Sequence, residues 1–311
     1  MSLPARSFEH SVDPAAAQSA ELTFMGFSHE VRPVIDKALT AAAADVPGPL
    51  GPVRDAVAAA LGVELRAGRR WRPLLTLATA RALGGRPEAA LDAAIAVELT
   101  HTASLVLDDL PCMDDSPERR GVPATHRLLG SSGAILVAIG LLAQAAERLG
   151  RSPDGAALAA GWGSAFGFDG MSGGQAVDIA MGGDCRGSTR RLYRRKTTAL
   201  AAFAVEAGAR VAGASDETRD GLVGFGLDIG WAYQLVDDAH DLDEDRANGR
   251  APGGRNPLRQ GQRILRRGLQ RIDELDGLAE GGAQLLGDVA REIVRVPGGS
   301  PIRGGTEAGA C

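Results

Sequence analysis

Two aspartate clusters, each following a long apolar run with helical spacing, constrain this chain more than any other feature. The first reads Asp108-Asp109-Leu110-Pro111-Cys112-Met113-Asp114, with Asp115 behind it. The second reads Asp237-Asp238-Ala239-His240-Asp241, followed by Asp243, Glu244 and Asp245. Carboxylates gathered at the C-terminal end of a helix are poorly placed, because the helix dipole is already negative there. A solvated acidic helix end accounts for either cluster alone. Two clusters in one chain, both led by apolar helices, require cations. Hard oxygen ligands with few nitrogens or thiols beside them suit Mg²⁺, which bridges carboxylates to substrate phosphates.

The rest of the chain reads as helices. Hydrophobic residues make up 44% but aromatics only 4%, so the core must be built from Ala, Leu, Val and Ile, a mixture that favours helices over a sheet sandwich. The spacing predicts helices over 30–44, 53–64, 72–84, 87–109, 131–149, 155–166, 170–181, 188–212, 216–243 and 263–293. Gly84-Gly85 stops the third of these, and Pro111 ends or kinks the fourth. Residues 246–263 read as a loop, and residues 1–25 and 297–311 as flexible tails. No alternating strand pattern stands out. The expectation is one all-α domain spanning 1–311.

Composition excludes several partners and settings. A net charge of −5 gives no footprint for nucleic acid. Three cysteines, an odd number at spacings that fit neither zinc nor a disulfide framework, point to a reducing cytoplasm. No uninterrupted apolar run approaches the roughly 18 residues of a bilayer crossing, so no transmembrane segment is expected.

A phosphorylated substrate for the acidic clusters also needs cationic donors. Arg69-Arg70-Trp71-Arg72-Pro73 places three arginines at the start of a helix, where backbone N–H groups also favour an anion. Arg119-Arg120 follows the first acidic cluster. Lys37 and Lys196 are the only lysines, so Lys196-Thr197, leading into an apolar helical run, stands out as a phosphate contact. A solvated basic face is the plainer reading of each group alone. His101 lies two helical turns before Asp108 on nearly the same face, and reads equally as a core residue or as a ligand.

With these residues the chain resembles the trans-isoprenyl diphosphate synthases, and most closely the short-chain geranylgeranyl diphosphate synthases. The likeness runs from about Gly68 to Asp241. It is carried by Gly68-Arg69-Arg70-Trp71-Arg72-Pro73, by Val97 to Leu105 (Val-Glu-Leu-Thr-His-Thr-Ala-Ser-Leu), by the first aspartate motif and Arg119-Arg120-Gly121, then by Gly174-Gln175-Ala176-Val177-Asp178, Lys196-Thr197 and Tyr233-Gln234 before the second aspartate motif. The resemblance implies a bundle of helices around a deep central cavity, working as a homodimer. It implies that Asp108, Asp109 and Asp114, with Asp237, Asp238 and Asp241, hold about three Mg²⁺ ions on an allylic diphosphate. Arg119 and Lys196 would contact that diphosphate, with Thr197 and Gln234 lining its site, while Arg69, Arg72, His101 and Arg120 would bind isopentenyl diphosphate. The activity implied is head-to-tail condensation of the two substrates. Small residues at Ala103 and Ser104, where farnesyl-making members carry bulky ones, imply a deeper cavity and a C20 product.

The chain departs from the family in four places. Arg69 stands where a lysine is usual, Leu107 where a histidine is common, and Ile139 where the following helix usually has an aspartate. The loop after the second motif lacks the usual lysines and reads Asn248-Gly249-Arg250-Ala251-Pro252-Gly253-Gly254-Arg255-Asn256-Pro257. That loop leaves open a weakly active regulatory subunit of a heteromeric synthase, and a C15 or longer product is a further alternative. A terpene cyclase would not need the second basic site, and a scaffold would leave both aspartate motifs unexplained.

Overall fold

The computed structural model describes residues 24–63, 68–181, 188–247 and 257–295, with the side chains of 181, 188–193 and 240–247 excepted. The tail expected at 297–311 and most of the one at 1–25, the departure at 248–256 and the side chain of Asp241 therefore lie outside the described residues. The helices are α1 (Phe24–Ala44), α2 (Gly51–Leu61), α3 (Trp71–Ala82), α4 (Leu91–Asp108), α5 (Thr125–Arg151), α6 (Gly155–Phe166), α7 (Met171–Met181), α8 (Ser188–Val211), α9 (Asp216–Ala247), α10 (Pro257–Asp273) and α11 (Gly282–Ile293). An all-α architecture is what the aromatic-poor composition requires, and the structure has it.

Helix α8 is the axis of the packing: α3, α4, α6, α7 and α9 all lie against it. Its buried face is Leu200, Ala201, Phe203, Ala204, Val205 and Ala207, small enough for neighbours to come close. A Cβ built at Gly230 of α9 would stand 2.9 Å from the Thr198 Cα, so only glycine lets the two helices meet there. That approach sets Gln234 opposite Thr197. One continuous apolar cluster runs from Phe27 of α1 to Val294.

Several expectations need correction. Helix α1 begins at Phe24, inside what reads as tail. The predicted loop 246–263 is helical from Pro257, while the helices expected over 263–293 are two, α10 ending at Asp273 and α11 starting at Gly282. Gly130 in α5 is non-helical, at φ 71° and ψ 170°, so the break that sets the predicted start at 131 lies inside a longer element. A two-residue hairpin is also present, β1 (Glu118–Arg119) paired with β2 (Val122–Pro123). Its turn residues Arg120 and Gly121 both have positive φ, the geometry that matches strand twist in tight hairpins.

Average hydropathy reads two of the helices differently from a search for uninterrupted apolar runs. Pro87–Asp108 and Thr125–Arg151 are both long and apolar enough to cross a membrane, with mean hydropathy 1.4 and 1.8. Interspersed Thr, Ser and His break up uninterrupted runs without lowering the average much. The first segment is 67% buried, as befits a core helix, but the second only 28%. Leu128, Ile135, Leu136 and Ile139 of α5 are all exposed. Ile135, Leu136 and Ile139 all follow the Gly130 break, and their spacing of one and four residues puts them along one face.

Candidate active site

A single cavity of about 960 Å³ collects residues from α3, α4, the hairpin, α6, α7, α8 and α9. Its acidic side is Asp108 and Asp114 from the first motif with Asp237 from the second. Helix α4 ends at Asp108, and the chain folds back so that the Asp114 amide donates to the Asp108 carbonyl at 2.9 Å. The Met113 amide donates to the Leu110 carbonyl at 2.9 Å and closes the turn. The intervening Leu110-Pro111-Cys112 is therefore what brings two carboxylates six residues apart to one wall. The second motif instead lies within α9, which runs on to Ala247, so the helix-end argument from sequence holds for the first motif alone.

Burial pushes the Asp108 carboxyl up from its usual 3.8 to about 6; Lys196 opposes the shift, and Asp114 and Asp109 add to it. A carboxylate held in this state gains from a cation brought close. Among the described residues no three His, Cys, Asp or Glu side chains form a ready-made metal cage. Mg²⁺ is commonly held by one or two carboxylates together with waters and substrate phosphate, and Asp108, Asp114 and Asp237 offer such carboxylates on one cavity. The donor set is carboxylate only, as a hard cation prefers.

The aspartates next in sequence are placed differently. Asp109 is 2% exposed and does not line the cavity. Its carboxylate accepts from Arg119 Nε at 3.1 and 3.3 Å, with a second contact from Arg119 Nη2. Arg119 still lines the cavity, with its pKa raised first by that hydrogen bond. Asp238 also stands outside the wall, accepting from Gln234 Nε2 at 2.7 Å, while Thr197 Oγ1 donates to Gln234 Oε1 at 2.5 Å. Lys196 lines the cavity and is held by Asp178 at 2.8 Å.

The basic side of the cavity is Arg69, Arg72, His101 and Arg120. Its foundation is Arg70, whose guanidinium is fully buried and donates to Glu98 at 2.9 Å, to the Leu61 carbonyl at 2.6 Å and to Asp36 at 3.3 Å. Those bonds hold the Arg70 backbone at φ 53°, where a non-glycine residue costs about 1–2 kcal/mol. The neighbouring arginines point the other way. Arg72 stacks on Trp71 at 4.1 Å, and Arg69 lies over Tyr233 at 5.9 Å while donating to the Glu292 and Ile293 carbonyls at 2.8 and 3.0 Å. Gly68 leaves room for Arg120, whose Cζ would be 2.9 Å from a Cβ there.

Arg72 Nε and Arg120 Nη1 are buried and have no hydrogen-bond partner. Burial pulls both guanidinium groups below their usual pKa. Burial, then Arg72, Arg120, Arg119 and Arg70, holds the His101 imidazole well below its usual range, so it is neutral at neutral pH. Orphaned donors on crowded arginines mark a site shaped for an anion.

The polyprenyl synthetase family model matches residues 56–253. This chain belongs to that family. Over 198 residues it is 41% identical to a geranylgeranyl diphosphate synthase of Pantoea ananas, covering 60% of this chain and 66% of that protein. Over 233 residues it is 34% identical to a farnesyl diphosphate synthase of Geobacillus stearothermophilus, covering 72% and 77%. The crystal structure of an FPP/GFPP synthase from Zymomonas mobilis superposes with a TM-score of 0.74 at 32% identity, over 88% of this chain and 99% of that one. The match to the Pantoea protein falls just short of two thirds of its length.

Within the family frame, the departures sort by position. Leu107 and Arg69 line the cavity, whereas Ile139 is 56% exposed on α5 and stands away from it. Of the residues expected to set product length, Ser104 lines the cavity; Ala103 is fully buried and does not. Sequence reasoning passed over Glu98, Trp71 and Tyr233, which brace the arginines, and Phe166, Met171 and Ile179, which form apolar wall. Glu98 and Tyr233 sit inside quoted motifs. Phe166 carries no sequence signal, because one aromatic on a helix reads as core.

Proposed function

We propose that this protein is a trans-prenyltransferase that joins isopentenyl diphosphate head to tail to an allylic diphosphate and releases geranylgeranyl diphosphate. One observation carries the reading: aspartates of both motifs, two buried arginines with unpartnered donors and several apolar side chains line the same cavity. Two diphosphates held at the two sides put their organic ends together in the apolar part. Asp108, Asp114 and Asp237 would hold Mg²⁺, with Asp109, Asp238 and Asp241 completing the two motifs, and the bound cations would neutralise the allylic diphosphate as it leaves. About three ions per site is the family's number.

Lys196, fixed by Asp178, and Arg119, fixed by Asp109, stabilise the negative charge that develops on the leaving group. Arg69, Arg72 and Arg120 grip isopentenyl diphosphate, and neutral His101 donates a hydrogen bond without adding charge. The apolar wall excludes water from the allylic cation. A proton then leaves the new chain; no side chain stands out as its base, which leaves the departing diphosphate as acceptor.

The exposed apolar face of α5, Ile135, Leu136 and Ile139, supports a homodimer in which a second copy covers it. Three cysteines, an odd number at spacings that suit no disulfide framework, support a reducing cytoplasmic setting. We also read residues 1–311 as one catalytic domain.

The test is a product assay. Purified protein is incubated with Mg²⁺, isopentenyl diphosphate and C5, C10 or C15 allylic diphosphates, and the dephosphorylated products are sized. A dominant C20 alcohol is expected. A dominant C15 or C25 alcohol keeps the activity and discards the C20 assignment, and no elongation by folded protein returns the regulatory-subunit reading.

A further inference from the structure

Product length in this family of reactions is set by whatever closes the cavity, and the wall residues show where that is. On α4, Asp108 and Ser104 both line the cavity, but Thr100, one turn further from the metal side, is fully buried and does not. Opposite Thr100 stands Trp162 of α6, whose Nε1–H donates to Thr100 Oγ1 at 2.8 Å. One turn on, Phe166 lines the cavity, and its ring stacks on Trp162 with centroids 5.7 Å apart and planes 9° from parallel. Ser172 Oγ donates to the Phe166 carbonyl at 2.6 Å, which ties the end of α6 to the wall formed by Met171 and Ser172.

We propose that Phe166 is the floor that stops chain growth, that Trp162 is a second stop directly beneath it, and that Thr100 is the positioning residue that latches the stack. This rests on the prenyltransferase reading above. It moves the length-determining contact from Ala103 and Ser104 on α4 to an aromatic pair on α6.

The physical argument is depth and stiffness. Removing the Phe166 ring opens the cavity to Trp162, one helical turn lower, about 5.4 Å along the axis, comparable to one five-carbon unit. An indole N–H is a donor only, and Thr100 Oγ1, which itself donates to the Ala96 carbonyl at 2.7 Å, is the acceptor that fixes the ring's angle. Thr100→Val keeps the shape and removes that acceptor. The rings then lose their common orientation, and the stop becomes soft without being removed.

The experiment sizes the products of the full chain and its variants in the assay already described. Phe166→Ala moves the dominant product one five-carbon unit longer than the parent's, and Phe166→Ala with Trp162→Ala moves it two. Thr100→Val spreads the product over two adjacent lengths, an outcome that a purely structural role for Thr100 would not give. If Phe166→Ala does not fold by circular dichroism, Phe166→Leu keeps much of the bulk, loses the ring and still lengthens the product. An unchanged product from the folded variant overturns the floor.

Failure of the parent to elongate any starter is a different result and sinks the prenyltransferase reading. The floor is then read by affinity, from titration with C20 and C25 prenyl diphosphates. Tight binding of the C25 compound gained only in Phe166→Ala supports it, and equal binding to parent and variant overturns it.

Discussion

The first aspartate motif leaves its helix at Asp108 and folds back through a turn, whereas the second stays within a helix that continues to Ala247. Both nonetheless put their first aspartate on the cavity wall, Asp108 (joined there by Asp114) or Asp237, and brace the next from outside it. The braces differ in kind. Asp109 is held by the charged fork of Arg119, Asp238 by the neutral amide of Gln234 with Thr197 behind it. Both bonds end on a carboxylate and are charge-assisted, but only the Arg119 fork adds a second charge and more than one N–H to its contact. The first motif is thus held by charge across a turn, and the second by helical repeat with a light side-chain relay.

The largest expected effect falls on the cavity-facing pair. Asp108→Asn and Asp237→Asn should each lower kcat about 10³-fold or more, because each removes a charge from the wall proposed to hold the cations. Steady-state assays over a range of Mg²⁺ concentrations check this, and near-parental turnover in either variant would take that carboxylate out of the catalytic site. The bracing residues come next. Asp109→Asn and Arg119→Lys should each cost about 10- to 100-fold, as losses of outer support to metal ligands do. Lysine keeps the charge of Arg119 but not its fork. The double variant should be little worse than either single one, since both break the same bond; additive losses would show that Asp109 acts on the metal directly.

How far the sequence carried this comparison follows from the range of each contact. Asp237 and Asp241 at helical spacing, the arginine run at Gly68–Pro73 and Lys196 in a lysine-poor chain are local patterns, and the structure brings all but Asp241, whose side chain lies outside the described residues, to one cavity or its edge. The Arg119–Asp109 bond spans ten residues and a hairpin that two-residue strands cannot announce. Thr197–Gln234 spans 37 residues and depends on the α8–α9 approach at Gly230. The Trp162–Thr100 latch joins helices with nothing in either segment to mark the pairing. The fold was legible for the same reason in reverse: amphipathic spacing is local, and errors gathered at ends such as Phe24, where no strong cap or breaker stands, and Pro257, where Asn256-Pro257 reads equally as a turn or as a helix start.

The acidity of Asp108 sharpens the contrast further. Its pKa is raised from the usual 3.8 to about 6 in the folded chain, mainly by burial. In the absence of metal, the protonated form therefore contributes stability that is complete below the usual value and lost as pH rises through about 6. Melting temperature measured in chelator should fall across that window, and Asp108→Asn should flatten the slope. With Mg²⁺ and substrate the carboxylate must be ionised, so turnover should climb over the same range. An unchanged melting slope in the asparagine variant would place the titration elsewhere.

The smallest effects belong to the neutral relay. Gln234→Ala should cost about 10-fold, since its amide bonds a carboxylate, and Thr197→Val, which keeps the shape and removes one neutral donor, about 3-fold, in line with about 1 kcal/mol for a neutral hydrogen bond. The useful quantity is their coupling. If Thr197 acts only by holding Gln234 against Asp238, the valine change should matter little once Gln234 is already alanine. The loss should then sit in the affinity for the allylic substrate and not in that for isopentenyl diphosphate, because Thr197 stands on the second-motif side of the cavity. Full additivity would mean that the hydroxyl touches the diphosphate itself. A valine loss as large as that of Arg119→Lys would break the comparison outright, since a neutral donor would then be supporting its motif as strongly as the charged fork supports the other.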